Sequence, residues 1–140
     1  MELIANAVQT VAANQDVLFT DTVICGNNSM VHRGGSGLVT LRGLTNCQCR
    51  ARFRVSFGGN IALPTGGTAG PISLAIAIDG EPIASTTMIT TPAAAEEFNN
   101  VFGAIFIEVP KGCCEQVSVR NTSTVPIDVQ NANLIIERVA

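Results

Sequence analysis

The chain has 140 residues, enough for one domain with a real core and too few for two comfortable ones. Charged residues make up 14% of it, against about 25% in an average soluble domain, so a lone copy would leave much uncharged surface in water and subunits are expected to cover one another. The net charge of −3 sets up no overall field for nucleic acid, and no run reaches the ~18 consecutive apolar residues of a membrane span.

The residues are mostly Ala, Val, Ile, Thr, Gly and Asn, with no Trp or Tyr, a mixture that favours packed strands over helix. The opening "MELIANAVQTVAANQ" has neither a basic n-region nor a clean apolar h-region and does not read as a signal peptide. Cytoplasmic synthesis without export is the resulting expectation. The segment is apolar enough to dock and too short to fold alone. Residues 1–15 are therefore expected to be an N-terminal arm, or a first strand, used in assembly through Leu3, Ile4, Val8 and Val11. Residues 16–140 are expected to form the single domain.

Period-two alternation then recurs along the chain. Val17 to Ile24 (VLFTDTVI) and Ser36 to Leu44 (SGLVTLRGL) read as strands, the second entered through Gly34-Gly35. "TNCQCRARFRVSF", Thr45 to Phe57, continues as a strand to about Leu63. Pro64 to Gly70 (PTGGTAG) is a loop. In "PISLAIAIDGEPIASTTMIT", Leu74, Ile76 and Ile78 alternate with small residues, and Asp79-Gly80 supplies a tight hairpin turn. Thr91 to Asn100 (TPAAAEEFNN) is the one place for a short helix, or else a loop. "AIFIEVP" is a strand ending at Pro110, "KGCC" turns, "EQVSVRNTS" is the next strand, and "VPIDVQNANLIIERVA" closes the chain as two strands or one broken near Asn131. Eight to ten short strands at regular spacing, without βαβ alternation or internal repeat, predict an all-β sandwich or jelly roll.

Few residues suggest chemistry. His32 is the sole histidine, which excludes a site of several imidazoles within one chain. "GGSG" lacks the strand–turn–helix setting of a nucleophile elbow, Glu96-Glu97 reads as a solvated loop pair, and neither glycine stretch opens a helix that would cradle phosphate. No enzyme and no cofactor are expected.

The five cysteines, Cys25, Cys47, Cys49, Cys113 and Cys114, are an odd set that cannot all pair within one chain. Most are expected to be small buried hydrophobes. Disulfides within or between subunits come next. Metal binding is disfavoured, because residues two apart on a strand lie about 6.6 Å apart and neighbours point to opposite faces, unlike a C-x₂₋₄-C knuckle.

Arg50, Arg52 and Arg54 share one strand face, opposite Cys47, Cys49, Ala51, Phe53, Val55 and Phe57. These arginines either pair with Glu108, Glu115, Asp128 or Glu137, across strands or subunits, or grip an acidic partner such as a capsid shell or a glycan carboxylate.

The C-terminal run "VPKGCCEQVSVRNTSTVPIDVQNANLIIERVA", with Ala132, Leu134, Ile136 and Arg138 in its last strand, resembles the closing strands of tumour necrosis factor-like, complement globular-head-like jelly rolls. Such modules occur in bacterial collagen-like spore-surface proteins and small phage structural proteins. "AIDGEPI" is similar to the family's mid-domain hairpin. The resemblance implies a ten-strand jelly roll, usually trimeric, acting as a structural or binding head. There is no Gly-X-Y stalk, and Phe19, Phe53, Phe57, Phe98, Phe102 and Phe106 are left to do the axial packing. The expected role is a homotrimer that decorates or builds a surface assembly, foremost a phage virion. A spore-surface or appendage fibre subunit is the nearest alternative. A glycan- or receptor-binding head using the loops Pro64–Gly70 and Pro92–Asn100 is the alternative of another class.

Overall fold

The computed structural model describes residues 1–45 and 49–140. Its strands are β1 (Glu2–Ala5), β2 (Gln9–Val11), β3 (Asp21–Ile24), β4 (Met30–His32), β5 (Val39–Arg42), β6 (Arg50–Ala62), β7 (Ile72–Ile78), β8 (Glu81–Pro82), β9 (Met88–Thr90), β10 (Asn99–Pro110), β11 (Cys114–Asn121) and β12 (Ile127–Arg138). They form two antiparallel six-stranded sheets. The first runs β10-β6-β12-β1-β3, with β2 also on β12. The second runs β4-β5-β11-β7-β8, with β9 also on β7.

Alternation decides which residues face inward. On β6, Ala51, Phe53, Val55 and Phe57 are fully buried, while Arg50, Arg52 and Arg54 are exposed. From the facing sheet come Leu74, Ile76, Val117 and Val119. Phe19 meets Phe57 edge to face, with ring centroids 6.4 Å apart at 74°, a favoured aromatic geometry.

At three segments the structure decides between alternatives that the sequence left open. Residues 91–98 carry no helix: Glu96 adopts φ +63° and its N–H donates to the Leu63 carbonyl at 2.8 Å, which turns the chain back onto β6. The final run is a single strand. Asn131, at φ +54°, absorbs the break as a bulge, and the pairing with β6 steps from Gln130↔Asn60 to Asn133↔Gly58. The N-terminus is an interior strand and not an arm. β1 lies between β12 and β3, Leu3 is fully buried and Val11 nearly so, and the Met1 amine donates to the Ile136 carbonyl at 2.7 Å. Ile4 is half-buried on the outer face, and Val8 alone of the four is exposed.

Two turns are fixed by backbone conformation. Asp79 (φ +51°) and Gly80 (φ +85°) form the primed turn expected of the hairpin. Gly43 sits where an added Cβ would lie 2.0 Å from the Pro110 carbonyl oxygen, so the β10–β11 turn can close only over a residue without a side chain.

Candidate assembly face

The outer face of the β10-β6-β12-β1-β3 sheet carries the arginines. Glu108 on β10 is directly opposite Arg52 on β6 and diagonal to Arg50. It divides its oxygens between them: Arg52 donates from Nη2 and Nε to Oε1 at 2.7 and 3.2 Å, and Arg50 donates from Nη1 to Oε2 at 3.1 Å. Arg54 reaches across to Glu137 on β12, Nη1 to Oε1, at 3.4 Å. The hydrogen bond from Arg52 first, and then that from Arg50, hold the Glu108 carboxyl below the usual glutamate range. Glu115 and Asp128 do not join this grid. Glu115 is on the other sheet, and Asp128 accepts from Thr10 Oγ1 at 2.7 Å. All three pairs are solvent-exposed and individually contribute little to stability. With Glu2, which accepts from Asn133 at 2.7 Å on the same face, three glutamates offset three arginines. Asp128 and Asp21 add two further carboxylates to the same face, so it is net acidic and each of its three arginines is already paired, which weakens the case for an acidic partner.

Beside the charges lies bare hydrocarbon. Along β10, Phe102, Ala104, Phe106 and Glu108 all point outward. Phe102 is 65% exposed and Phe106 63%. Phe102 lies over Gly58, and Phe106 opposes Arg54. In register with Ala104 comes a row across the sheet, Ser56, Ile135, Glu2 and Ile24, whose two isoleucines are exposed. Arg52, Phe106 and Glu108 line a shallow cavity of about 320 Å³. The six phenylalanines therefore divide: Phe19, Phe53 and Phe57 build the core, while Phe98, Phe102 and Phe106 remain exposed. Sequence reasoning placed Phe53 and Phe57 on the core face of β6 but did not separate the other four, although Phe102 and Phe106 are in phase with Glu108, and that phase is the available signal.

No family model and no curated protein matches the sequence. Among solved structures, the chain is similar to the globular domain of zebrafish complement 1qA protein. The TM-score is 0.62 at 15% identity, over 96% of this chain and 93% of that one. It is also similar to murine APRIL, with a TM-score of 0.58 at 10% identity, over 95% and 96%. The fold is a tumour necrosis factor-like, complement globular-head-like jelly roll. At these identities the likeness is one of fold.

The other predicted residues lie elsewhere on the jelly roll. Cys25, Cys49, Cys113 and Cys114 are exposed free thiols, against the expectation of buried ones. Cys25 follows the edge strand β3, Cys49 precedes β6, and Cys113 and Cys114 leave a turn, so all four sit at strand ends beyond the core. Cys47 lies outside the described residues. Among the described residues no three His, Cys, Asp or Glu side chains converge on a metal position. His32 joins the two sheets at one edge: its Nδ1 is 2.9 Å from Thr22 Oγ1 on β3, and Nε2 donates to the Ser36 carbonyl at 2.9 Å. The loops Pro64–Gly70 and Pro92–Asn100 come together through a hydrogen bond from the Thr65 hydroxyl to Glu96. Among the described residues no helix is long and apolar enough to cross a membrane.

Proposed function

We propose that this jelly roll is a non-enzymatic structural subunit that forms homotrimers through the outer face of its β10-β6-β12-β1-β3 sheet. These trimers decorate or build a larger surface assembly, foremost a phage virion. One observation carries the reading: two phenylalanines, each nearly two-thirds exposed, stand on the edge strand β10 in a chain with few charges. Rings that size in water mark a surface that another protein covers. Self-association is favoured over an acidic foreign partner because the three arginines of the face already have carboxylate partners within it.

The geometry suits a cyclic, head-to-tail contact, in which an edge of one copy meets the sheet face of the next. Phe102 and Phe106 on β10 supply the edge, and Ile135 and Ile24 the face. A long edge strand left bare is a hazard for open-ended pairing, and ring closure removes it.

Multi-angle light scattering on the purified chain, followed by electron microscopy of the native assembly, tests both levels of the proposal. A trimer seated on a capsid shell is the expected result. A monomer at all concentrations overturns the trimer. A trimer found on a spore coat or an appendage overturns the virion placement and keeps the subunit. Carbohydrate binding by the Thr65–Glu96 loop pair, without assembly, overturns the structural role.

A further inference from the structure

Three exposed thiols gather at one end of the jelly roll. Cys49 immediately precedes β6, and Cys113 and Cys114 complete the turn that leads β10 into β11. Backbone bonds tie these segments together. Lys111 N–H donates to the Cys49 carbonyl at 2.9 Å, and Cys113 N–H donates to the Pro110 carbonyl at 3.0 Å within the same four-residue turn. Gly43 N–H donates to the Cys113 carbonyl at 2.8 Å. Gly112, at φ +80°, lets the turn close.

Register separates the three. Cys49 is in phase with Ala51, Phe53 and Val55, the residues that β6 turns toward the other sheet. Cys113 is in phase with Val117 and Val119, which β11 turns toward the first sheet. Cys114 pairs in register with Arg42 and takes the opposite phase, with Gln116 and Arg120. Cys49 and Cys113 thus occupy inward positions of opposite sheets, at the mouth of the sandwich where neither is covered.

We propose that Cys49 and Cys113 are a redox pair that forms a disulfide joining the two sheets, with a low-molecular-weight disulfide such as oxidised glutathione as the oxidant. The Cys113 thiolate attacks one sulfur of the oxidant, whose S–S bond breaks and releases one glutathione. The Cys49 thiolate then attacks the Cys113 sulfur of the mixed disulfide and releases the second. Two protein thiols are oxidised, the two electrons reduce the glutathione disulfide, and the two protons end on the released thiols. A disulfide places its Cα atoms about 4.4–6.8 Å apart. Lys111, whose N–H bonds the Cys49 carbonyl, is only two residues before Cys113, so the turn that carries the chain from one sheet to the other holds both cysteines. Their exposure admits the oxidant. The bond would close most of the chain between β6 and β11 into a loop, the arrangement in which a crosslink restricts the unfolded state most.

The inference concerns one copy of the chain and is independent of the trimer. The test is to equilibrate the full chain with oxidised glutathione or with dithiothreitol, then map peptides by mass spectrometry without reduction and record thermal unfolding. Expected are a Cys49–Cys113 peptide within the monomer mass and a rise in Tm of roughly 10 °C that dithiothreitol reverses. Cys49→Ser and Cys113→Ser abolish both effects, whereas Cys25→Ser, Cys47→Ser and Cys114→Ser keep both. Bonding of Cys49 or Cys113 to any other cysteine, crosslinks exclusively between chains, or an unchanged count of free thiols after oxidation would overturn the assignment.

Discussion

Replacing both Phe102 and Phe106 by Ser is the perturbation that bears most directly on assembly. Burying a whole Phe side chain contributes roughly 1.5–3 kcal/mol. About two-thirds of each of these rings is still in water in the single chain, so each leaves about 1–2 kcal/mol for a partner to realise. Six such rings in a trimer amount to about 6–12 kcal/mol of assembly free energy. Three monomers combine into one trimer, so the concentration at half-assembly scales with the square root of the dissociation constant. At about 1.4 kcal/mol per tenfold, the double variant should move that midpoint up by roughly two to four orders of magnitude. The fold itself should lose far less, because only the buried third of each ring belongs to it. Sedimentation velocity across a dilution series, with circular dichroism on the same samples, reads both quantities. A wild-type chain that stays monomeric, or a double variant with the wild-type midpoint, refutes the reasoning.

Three further outcomes follow from the interior and the charges. Leu3→Ala should cost about 2–5 kcal/mol in chemical denaturation, because Leu3 is fully buried on an interior strand; a loss within about 0.5 kcal/mol would restore the picture of a detachable arm. Gly43→Ala should destabilise by about 3 kcal/mol or more, or abolish soluble expression, since its Cβ meets backbone and not a movable side-chain tip; thermal unfolding like that of the wild type would show that the turn yields. Glu108 and Glu115 should impose opposite pH slopes on Tm. The folded-state pKa of Glu108 lies below the ordinary 4.5, so its contribution is complete above that pH and is lost as the pH falls through the folded value. Burial first, and then the charge of Asp79, raise Glu115, so its contribution is present in acid and is lost as the pH rises from 4.5 through the higher folded value. Glu108→Gln should flatten the acid-side decline, and Glu115→Gln should raise Tm at neutral pH and leave it unchanged in strong acid; equal effects of both at pH 7 would contradict these assignments.

Much of the fold was legible because one face of most strands meets water. In β6 the arginines mark the solvent side, so Phe53 and Phe57 could be placed in the core from alternation alone. Asp79-Gly80 announced its own turn. β10 was harder to read. Val101 to Ile107 is almost wholly apolar, the pattern of a strand buried on both sides, and period two is invisible where both faces are hydrophobic. The exposed rings of Phe102 and Phe106 were hidden by the same composition that makes them candidates for a subunit contact. β1 was left open between an arm and a first strand for a different reason. "ELIA" is too short to show a period, and its position is set by β12, which no local signal encodes. The four described cysteines failed a statistical expectation, because their burial depends on where each strand stops and not on residue type.

The pairing of β1 with β12 also governs how the protein can be made. The Met1 amine bonds Ile136, 135 residues away in sequence, and β1 leaves the ribosome about 120 residues ahead of the strand it must pair with. At bacterial or eukaryotic synthesis rates of about 5–20 residues per second, Leu3 and Ala5 wait for roughly 6–25 s with their apolar side chains uncovered. The sheet cannot be completed from its N-terminal side, and its last strand must insert between β6 and a β1 already present. Folding is therefore expected to wait for β12 and to be slow, as long-range strand pairing generally is, and a nascent chain stalled before Ile127 should be a substrate for chaperones and not a partly built domain.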